Sequence, residues 1–284
     1  MGAMRRTAPI ALFDSGVGGL SVLRHIRAQL PHESVVYVAD QAHVPYGPRP
    51  MAEIVQLSRA ITRFLLSQQA KIVVIPCNTA SAAALHDLRK QFPQMKFVGM
   101  EPAVKPAAQQ TQSGKVGVLA TMQTLSSERY ASLMHRFAGH VNVLDNPCVG
   151  LVDLIEAGAV NEPDTKHLLQ SCLQPMLAAG VDTVVLGCTH YPFVSPLIAE
   201  IVGTAVTIID PAPAVARQTV RVLTQMQLLA PPDAVPTVRM VTTGEAKRFS
   251  RQLKQLIGYE GAVETAVWQN GNLNSLPNSS IIPV

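Results

Sequence analysis

Short apolar runs rich in β-branched residues alternate along the chain with longer stretches whose apolar residues recur at helical spacing. That alternation predicts an α/β fold with mainly parallel sheets, because strands covered on both faces read as continuous apolar runs. The predicted strands are Ile10 to Phe13, Val35 to Ala39, Ile72 to Pro76, Phe97 to Met100, Val116 to Ala120, Val141 to Leu144, Val181 to Gly187 and Val206 to Ile209. Each ends in small, polar or turn-forming residues. Chemistry in such folds collects beyond the carboxyl ends of strands, so candidate functional residues are sought there. Further on, the pattern predicts a helix from Ala214 to Leu228, a Pro-rich turn at Pro231, Pro232 and Pro236, an extended run Thr237 to Val241, and a helix capped by Thr243. From Gln269 the chain is polar, turn-rich and without periodicity, and reads as a flexible tail.

Comparing the strand ends exposes a repeat. Lys71-Ile-Val-Val-Ile-Pro-Cys77-Asn78-Thr79 resembles Asp182-Thr-Val-Val-Leu-Gly-Cys188-Thr189-His190. Asp14 and Thr121 close corresponding strands, and the turn Glu101-Pro102-Ala103-Val104 returns in expanded form as Asp210-Pro211-Ala212-Pro213-Ala214-Val215. All three pairs are offset by about 110 positions. The chain is therefore expected to form two pseudo-symmetric α/β domains, 1–100 and 101–210, with 211–268 packing back on the first and 269–284 as the tail.

A chain of 284 residues, 48% hydrophobic and 15% charged, can bury a substantial core and is neither disordered nor highly solvated. Its net charge of +4 is spread without a long run of either sign, so no nucleic-acid partner is expected. The four cysteines, Cys77, Cys148, Cys172 and Cys188, are too few for a disulfide scaffold and include no C-x-x-C pair, which points to a reducing compartment. Asp14 interrupts the apolar run after Arg5 and Arg6 before a signal-peptide core is complete. No stretch has the roughly 18 consecutive apolar residues of a membrane span, so a cytoplasmic protein without a membrane partner is expected.

A lone buried cysteine is usually a small core hydrophobe, and Cys148 and Cys172 are assigned to packing. Cys77 and Cys188 differ in being repeat-related, at strand ends, and followed by polar residues. Inverting an amino-acid Cα means removing a proton from one face and delivering another to the opposite face, which two opposed acid/base groups accomplish unaided. A thiol, with an ordinary pKa of about 8.5, donates as the thiol and accepts as the thiolate, and a following helix N-terminus favours the thiolate. Asn78, Thr79 and Thr189 add amide and hydroxyl groups suited to an α-carboxylate or ammonium. His190 either assists proton exchange at Cys188 or is a structural histidine at a strand end.

Asp14-Ser15-Gly16-Val17-Gly18-Gly19 follows a strand and opens a helix, and Asp40 lies near the next strand's end, which imitates a dinucleotide site. The third glycine of that fingerprint is replaced by Ser21, and Asp14 would set a negative charge beside a pyrophosphate. A carboxylate facing a substrate ammonium or a thiol is the more coherent reading. Pro45-Tyr46-Gly47 forms a loop that either closes over a small polar ligand or is an ordinary turn plugged by Tyr46. No lysine is placed to anchor pyridoxal phosphate and no carboxylate/His set has metal-ligand spacing, so neither cofactor nor metal is expected.

Asp14-Ser15-Gly16-x-Gly18-Gly19, Pro45-Tyr46-Gly47, Cys77-Asn78-Thr79-Ala80 and Cys188-Thr189-His190-Tyr191-Pro192, in that order across about residues 8–260, together resemble the glutamate racemases of the aspartate/glutamate racemase superfamily. The resemblance implies a two-domain fold with the active site between domains, and conversion of L- to D-glutamate for peptidoglycan without cofactor. It implies that Cys188 takes the proton from L-glutamate and Cys77 reprotonates the other face. Asp14 and His190 become auxiliary acid/base or orienting groups, and Ser15, Tyr46, Gly47, Asn78, Thr79 and Thr189, with Asp14 and His190, the substrate-contacting set. Thr121 and Glu156 are second-tier candidates, and a homodimer is the family habit. Two positions depart from the family pattern: Gln123 replaces a glycine before Thr124, and Pro76 replaces a small residue before Cys77. The rival readings are a racemase acting on aspartate or a related acid, a nucleotide-binding oxidoreductase using the Gly16 loop, and a second, protein-binding role such as topoisomerase inhibition.

Overall fold

A computed structural model describes residues 5–275. The chain divides into two compact units, one built from residues up to Met100 and from Ala212 onward, the other from Glu101–Pro211. The first begins β1 (Ile10–Asp14), α1 (Leu20–Gln29), β2 (Val35–Ala39), α2 (Met51–Ser67), β3 (Ile72–Ile75), α3 (Asn78–Gln91) and β4 (Phe97–Gly99). The second contains α4 (Val104–Gln110), β5 (Lys115–Leu119), α5 (Met122–Leu125), α6 (Glu128–Phe137), β6 (Asn142–Asn146), α7 (Leu151–Glu156), α8 (Pro163–Ala178) and β7 (Thr183–Leu186). It continues through a 3-10 turn, Tyr191–Val194, into α9 (Ser195–Val202) and β8 (Thr207–Ile209). The chain then completes the first unit with α10 (Ala212–Gln225), β9 (Val238–Thr242), α11 (Ala246–Ile257), β10 (Val263–Gln269) and β11 (Asn272–Ser275).

The strand order carries the repeat. The second unit's sheet runs β6-β5-β7-β8, and the first contains the same arrangement, β2-β1-β3-β4, extended beside β2 by β9, β10 and β11. Every pairing is parallel except that of β10 with β11. Thus β3 corresponds to β7, and β1 to β5. The residues of β1, β2 and β3 are buried without alternation, as strands covered on both faces must be. On one face Ala11, Phe13, Val36, Val38, Val73 and Ile75 pack with Ile54, Ile61 and Leu65 of α2 and with Ala84 and Leu88 of α3.

At the amino-terminal edge of this sheet Lys71 is fully buried. Its ammonium pairs with buried Glu33 and donates to the carbonyls of Arg6 at 2.6 Å and Leu228 at 2.9 Å, while Glu33 also accepts from Ala230 N at 2.8 Å. One ion pair therefore ties the start of β3 to the chain before β1 and to the segment after α10.

Three expectations are corrected. Strand β3 stops at Ile75 because Pro76 has no N–H to give a ladder. Glu245, without a side-chain cap, precedes α11, and the Thr243 hydroxyl instead donates to Asp40 at 2.8 Å and accepts from Ala42 N at 2.9 Å. The stretch from Gln269, expected as a tail, turns at Asn270 and Gly271, with φ of 50° and 72°, and returns as β11 antiparallel to β10. Two successive left-handed residues make the twist-matched hairpin turn that an Asn-Gly pair favours. The remainder of that tail, 276–284, lies outside the described residues. Among the described residues no helix is long and apolar enough to cross a membrane.

Candidate active site

The first unit gathers its sequence-predicted residues where β1, β2 and β3 end. Cys77 lies one residue beyond β3, after Pro76, and caps α3, its Sγ accepting from Ala80 N at 3.4 Å. The first backbone N–H groups of α3 and the positive end of its dipole therefore face the sulfur. At the next two positions Asn78 and Thr79 are buried, and both polar side-chain atoms of Asn78 lack a partner among the described residues. Leaving a buried amide unsatisfied costs on the order of 1–3 kcal/mol, so Asn78 is an exception among the buried polar side chains that calls for a physical reason.

Asp14 ends β1 fully buried, and its Oδ2 accepts from Gly19 N at 2.7 Å, with Ser15 Oγ 3.5 Å from Oδ1. Its carboxylate thus fills the start of α1, where a pyrophosphate would lie in a dinucleotide site. Gly19 is needed for close approach: a Cβ there would meet Pro76 Cγ at 2.7 Å, Tyr37 Oη at 2.9 Å and Asp14 Cβ at 3.0 Å. Pro76, one of the two departures from the family pattern, packs its ring on that glycine.

Tyr46 is buried in the same apolar cluster as Cys77, and its hydroxyl donates to Asp40 Oδ2 at 2.7 Å. Burial, then the Asp40 carboxylate, push this phenol well above its ordinary pKa. The Tyr46 hydroxyl is thereby committed to Asp40, its ring is packed in the core, and Gly47 follows it partly exposed. Asp40 itself, the would-be ribose acid, is saturated by protein donors.

The second unit builds a different corner on the same plan. Gly187 follows β7 and hydrogen-bonds Leu119 O at 2.6 Å, and a Cβ there would meet Ala120 Cβ at 2.7 Å and Leu119 O at 2.9 Å, so only glycine fits. Cys188 is buried, with Sγ 3.7 Å from His190 Nδ1, and His190 Nε2 donates to Glu156 Oε1 at 2.8 Å. Burial alone would discharge His190, but Cys188 and Glu156 together raise its pKa well above the ordinary value. The imidazolium so favoured faces the Cys188 sulfur. Thr189 is buried beside it. At the end of β5 Thr121 caps α5, accepting from Thr124 N at 3.4 Å with the two hydroxyls 3.0 Å apart. Thr124, beside the departure at Gln123, is thereby anchored.

Cys148 and Cys172 are both buried, and Asn146 touches both backbones, accepting from Cys148 N at 2.8 Å and donating to Cys172 O at 3.4 Å. Two residues gain weight over the sequence reading. Glu156 is the direct partner of His190, with no local signal to announce it, and Asp40 organises the Tyr46 loop, a role its place at the end of β2 left open.

The family described as Asp/Glu/Hydantoin racemase matches residues 18–219. A glutamate racemase of Ectopseudomonas mendocina is 52% identical over 256 residues, covering 90% of this chain and 97% of the relative. The structure of Escherichia coli glutamate racemase in complex with L-glutamate and the activator UDP-MurNAc-ala superposes with a TM-score of 0.80 at 32% identity, covering 91% of this chain and 98% of that one. That of the Francisella tularensis glutamate racemase in complex with D-glutamate gives 0.81 at 28% identity, covering 93% and 98%.

Proposed function

The chain belongs to the Asp/Glu/hydantoin racemase family and is an isomerase of the racemase class, and from that premise we propose that it interconverts L- and D-glutamate through two thiols. The observation that carries this reading is the equivalence of Cys77 and Cys188: each follows the corresponding strand, β3 or β7, of the repeated four-strand order. Two copies of one scaffold thereby contribute one acid/base group each. The Cys188 thiolate, held by imidazolium His190 with Glu156 behind it, takes the Cα proton of L-glutamate and becomes a thiol. The Cys77 thiol gives its proton to the opposite face and becomes a thiolate. The enzyme is left in the protonation state that suits D-glutamate, and the reverse reaction restores it.

Asn78, with both amide atoms unpartnered among the described residues, supplies polar contacts to the substrate, joined by Asp14, Ser15, Thr79, Thr189, His190 and the loop of Tyr46 and Gly47. Relatives bound to L- and to D-glutamate support glutamate over aspartate as the substrate. The product supplies peptidoglycan synthesis, the enzyme works in the cytoplasm as a homodimer, and no cofactor enters the reaction.

Solvent deuterium tests the reading. In heavy water Cys77→Ala stops racemisation yet lets L-glutamate exchange its Cα hydrogen with retention, because Cys188 still works alone. Cys188→Ala does the same for D-glutamate only. Full racemisation by either variant overturns the two-thiol reaction, and a higher kcat/KM for aspartate overturns the substrate.

A further inference from the structure

The carboxylate of Asp40 is fully buried at the end of β2 and takes four side-chain donors. Tyr46 Oη donates to Oδ2 at 2.7 Å, and His43 Nδ1 lies 3.0 Å from the same oxygen. Trp268 Nε1 and Thr243 Oγ1 both donate to Oδ1 at 2.8 Å. The His43 and Trp268 rings meet edge to face, 5.0 Å between centroids. Asp40 N also donates to Asp14 O at 2.9 Å, so the network joins the end of β1 directly. Within the loop it supports, Arg49 Nε donates to His43 O and Arg49 N to Tyr46 O at 3.1 Å, closing the turn on itself. An isolated buried carboxylate is costly, and convergent donors remove that cost while making the geometry rigid. Three segments distant in sequence, the end of β2 with the loop after it, the residue following β9, and β10, thus converge on one side chain that touches the Tyr46 loop.

We infer that Asp40 is a positioning residue for racemisation: through Tyr46 it fixes the Pro45-Tyr46-Gly47 backbone beside Cys77 in the form that receives the substrate. This rests on the glutamate racemase reading. A loop held ready for ligand loses no ordering entropy on binding, so releasing it weakens binding more than it slows the proton transfers, which the thiols perform.

In the full-length enzyme Asp40→Asn and Tyr46→Phe are each expected to raise KM about tenfold for both enantiomers while kcat changes by less than about threefold. The loss of the indole partner in Asp40→Asn also shifts the emission of Trp268, the single tryptophan of the chain. Tyr46→Phe removes one hydroxyl and keeps the packed ring, so it carries the test if Asp40→Asn does not fold. A folded variant with a lowered melting temperature and wild-type KM, or one that loses kcat at constant KM, overturns the positioning role. A wild type that binds D-glutamate without racemising it overturns the reaction alone. The positioning role is then judged by calorimetric Kd, which must weaken about tenfold in both variants. A wild type that binds neither enantiomer overturns both.

Discussion

His190 Nε2 lies 2.8 Å from Glu156 Oε1, both groups buried, and the other ring nitrogen faces Cys188. The carboxylate favours the imidazolium, so in the proposed two-thiol reaction charge at Glu156 reaches the sulfur through one ring. Glu156→Gln removes the charge and keeps the shape. The His190 pKa, raised in the wild type, falls, and the alkaline limb of the pH–rate profile moves to lower pH. kcat/KM is expected to drop about 10- to 100-fold. The factor must be the same for both enantiomers, since these are equal in energy in water. An unmoved alkaline limb would show that the imidazolium is not what activates Cys188.

The Lys71–Glu33 pair is expected to govern stability and leave catalysis alone, because it lies at the end of β3 opposite Cys77. Lys71→Met strands a buried carboxylate and two carbonyls, and should cost about 3–5 kcal/mol. Adding Glu33→Gln removes the orphaned charge and should recover part of that loss, giving a coupling of more than about 1 kcal/mol in a double-mutant cycle by denaturant unfolding. KM for glutamate in the folded fraction stays at the wild-type value. Additive losses would mean the pair does not act as one unit.

Much of this was legible because it is local. The apolar runs Ile72–Ile75 and Thr183–Leu186 announce strands, and the cysteines after them announce equivalent corners. The repeat was readable as an offset and reappears as a strand order. What could not be read depends on pairings across the chain. Trp268 and Asp40 are 228 positions apart, and Glu156 reaches His190 from the end of α7, 34 positions away, so neither spacing nor periodicity links them. The hairpin is a different case: Asn270-Gly271 is a strong turn signal, obscured by the polar residues around it, whose outward side chains cover an edge strand.

Asp182 holds the loop before β5 to the start of β7. It accepts from Thr111 Oγ1 at 2.6 Å, Gln112 N at 2.7 Å, Ser113 N at 2.6 Å and Thr183 Oγ1 at 3.0 Å. Its burial works against the charge, but the donors prevail and hold the carboxyl well below its ordinary pKa. A depressed folded pKa gives stability that is present above the unfolded value of about 3.9 and lost as pH falls through the folded one. Asp182→Ala, discounted for solvent screening at this partly exposed site, should cost about 1 kcal/mol at pH 7. The gap between the two unfolding curves should narrow progressively below about pH 4. A gap independent of pH would assign the loss to packing.

Gly19 and Pro76 supply the final test, since they connect the Asp14 loop to the backbone carrying Cys77. A methyl at residue 19 would overlap Pro76 Cγ at 2.7 Å and Tyr37 Oη at 2.9 Å. Pro76 is a rigid ring attached directly to Cys77, so it cannot yield without moving the thiol's backbone. Gly19→Ala should therefore cost about 1–3 kcal/mol of stability. It should also reduce kcat about tenfold or more, because a small misplacement of an acid/base group is expensive. Pro76→Ala removes the overlapping Cγ and, combined with Gly19→Ala, should restore part of kcat even though Tyr37 still presses on the methyl. If the double variant is no faster than Gly19→Ala alone, the damage runs through Asp14 and the α1 start, and Pro76 is a bystander.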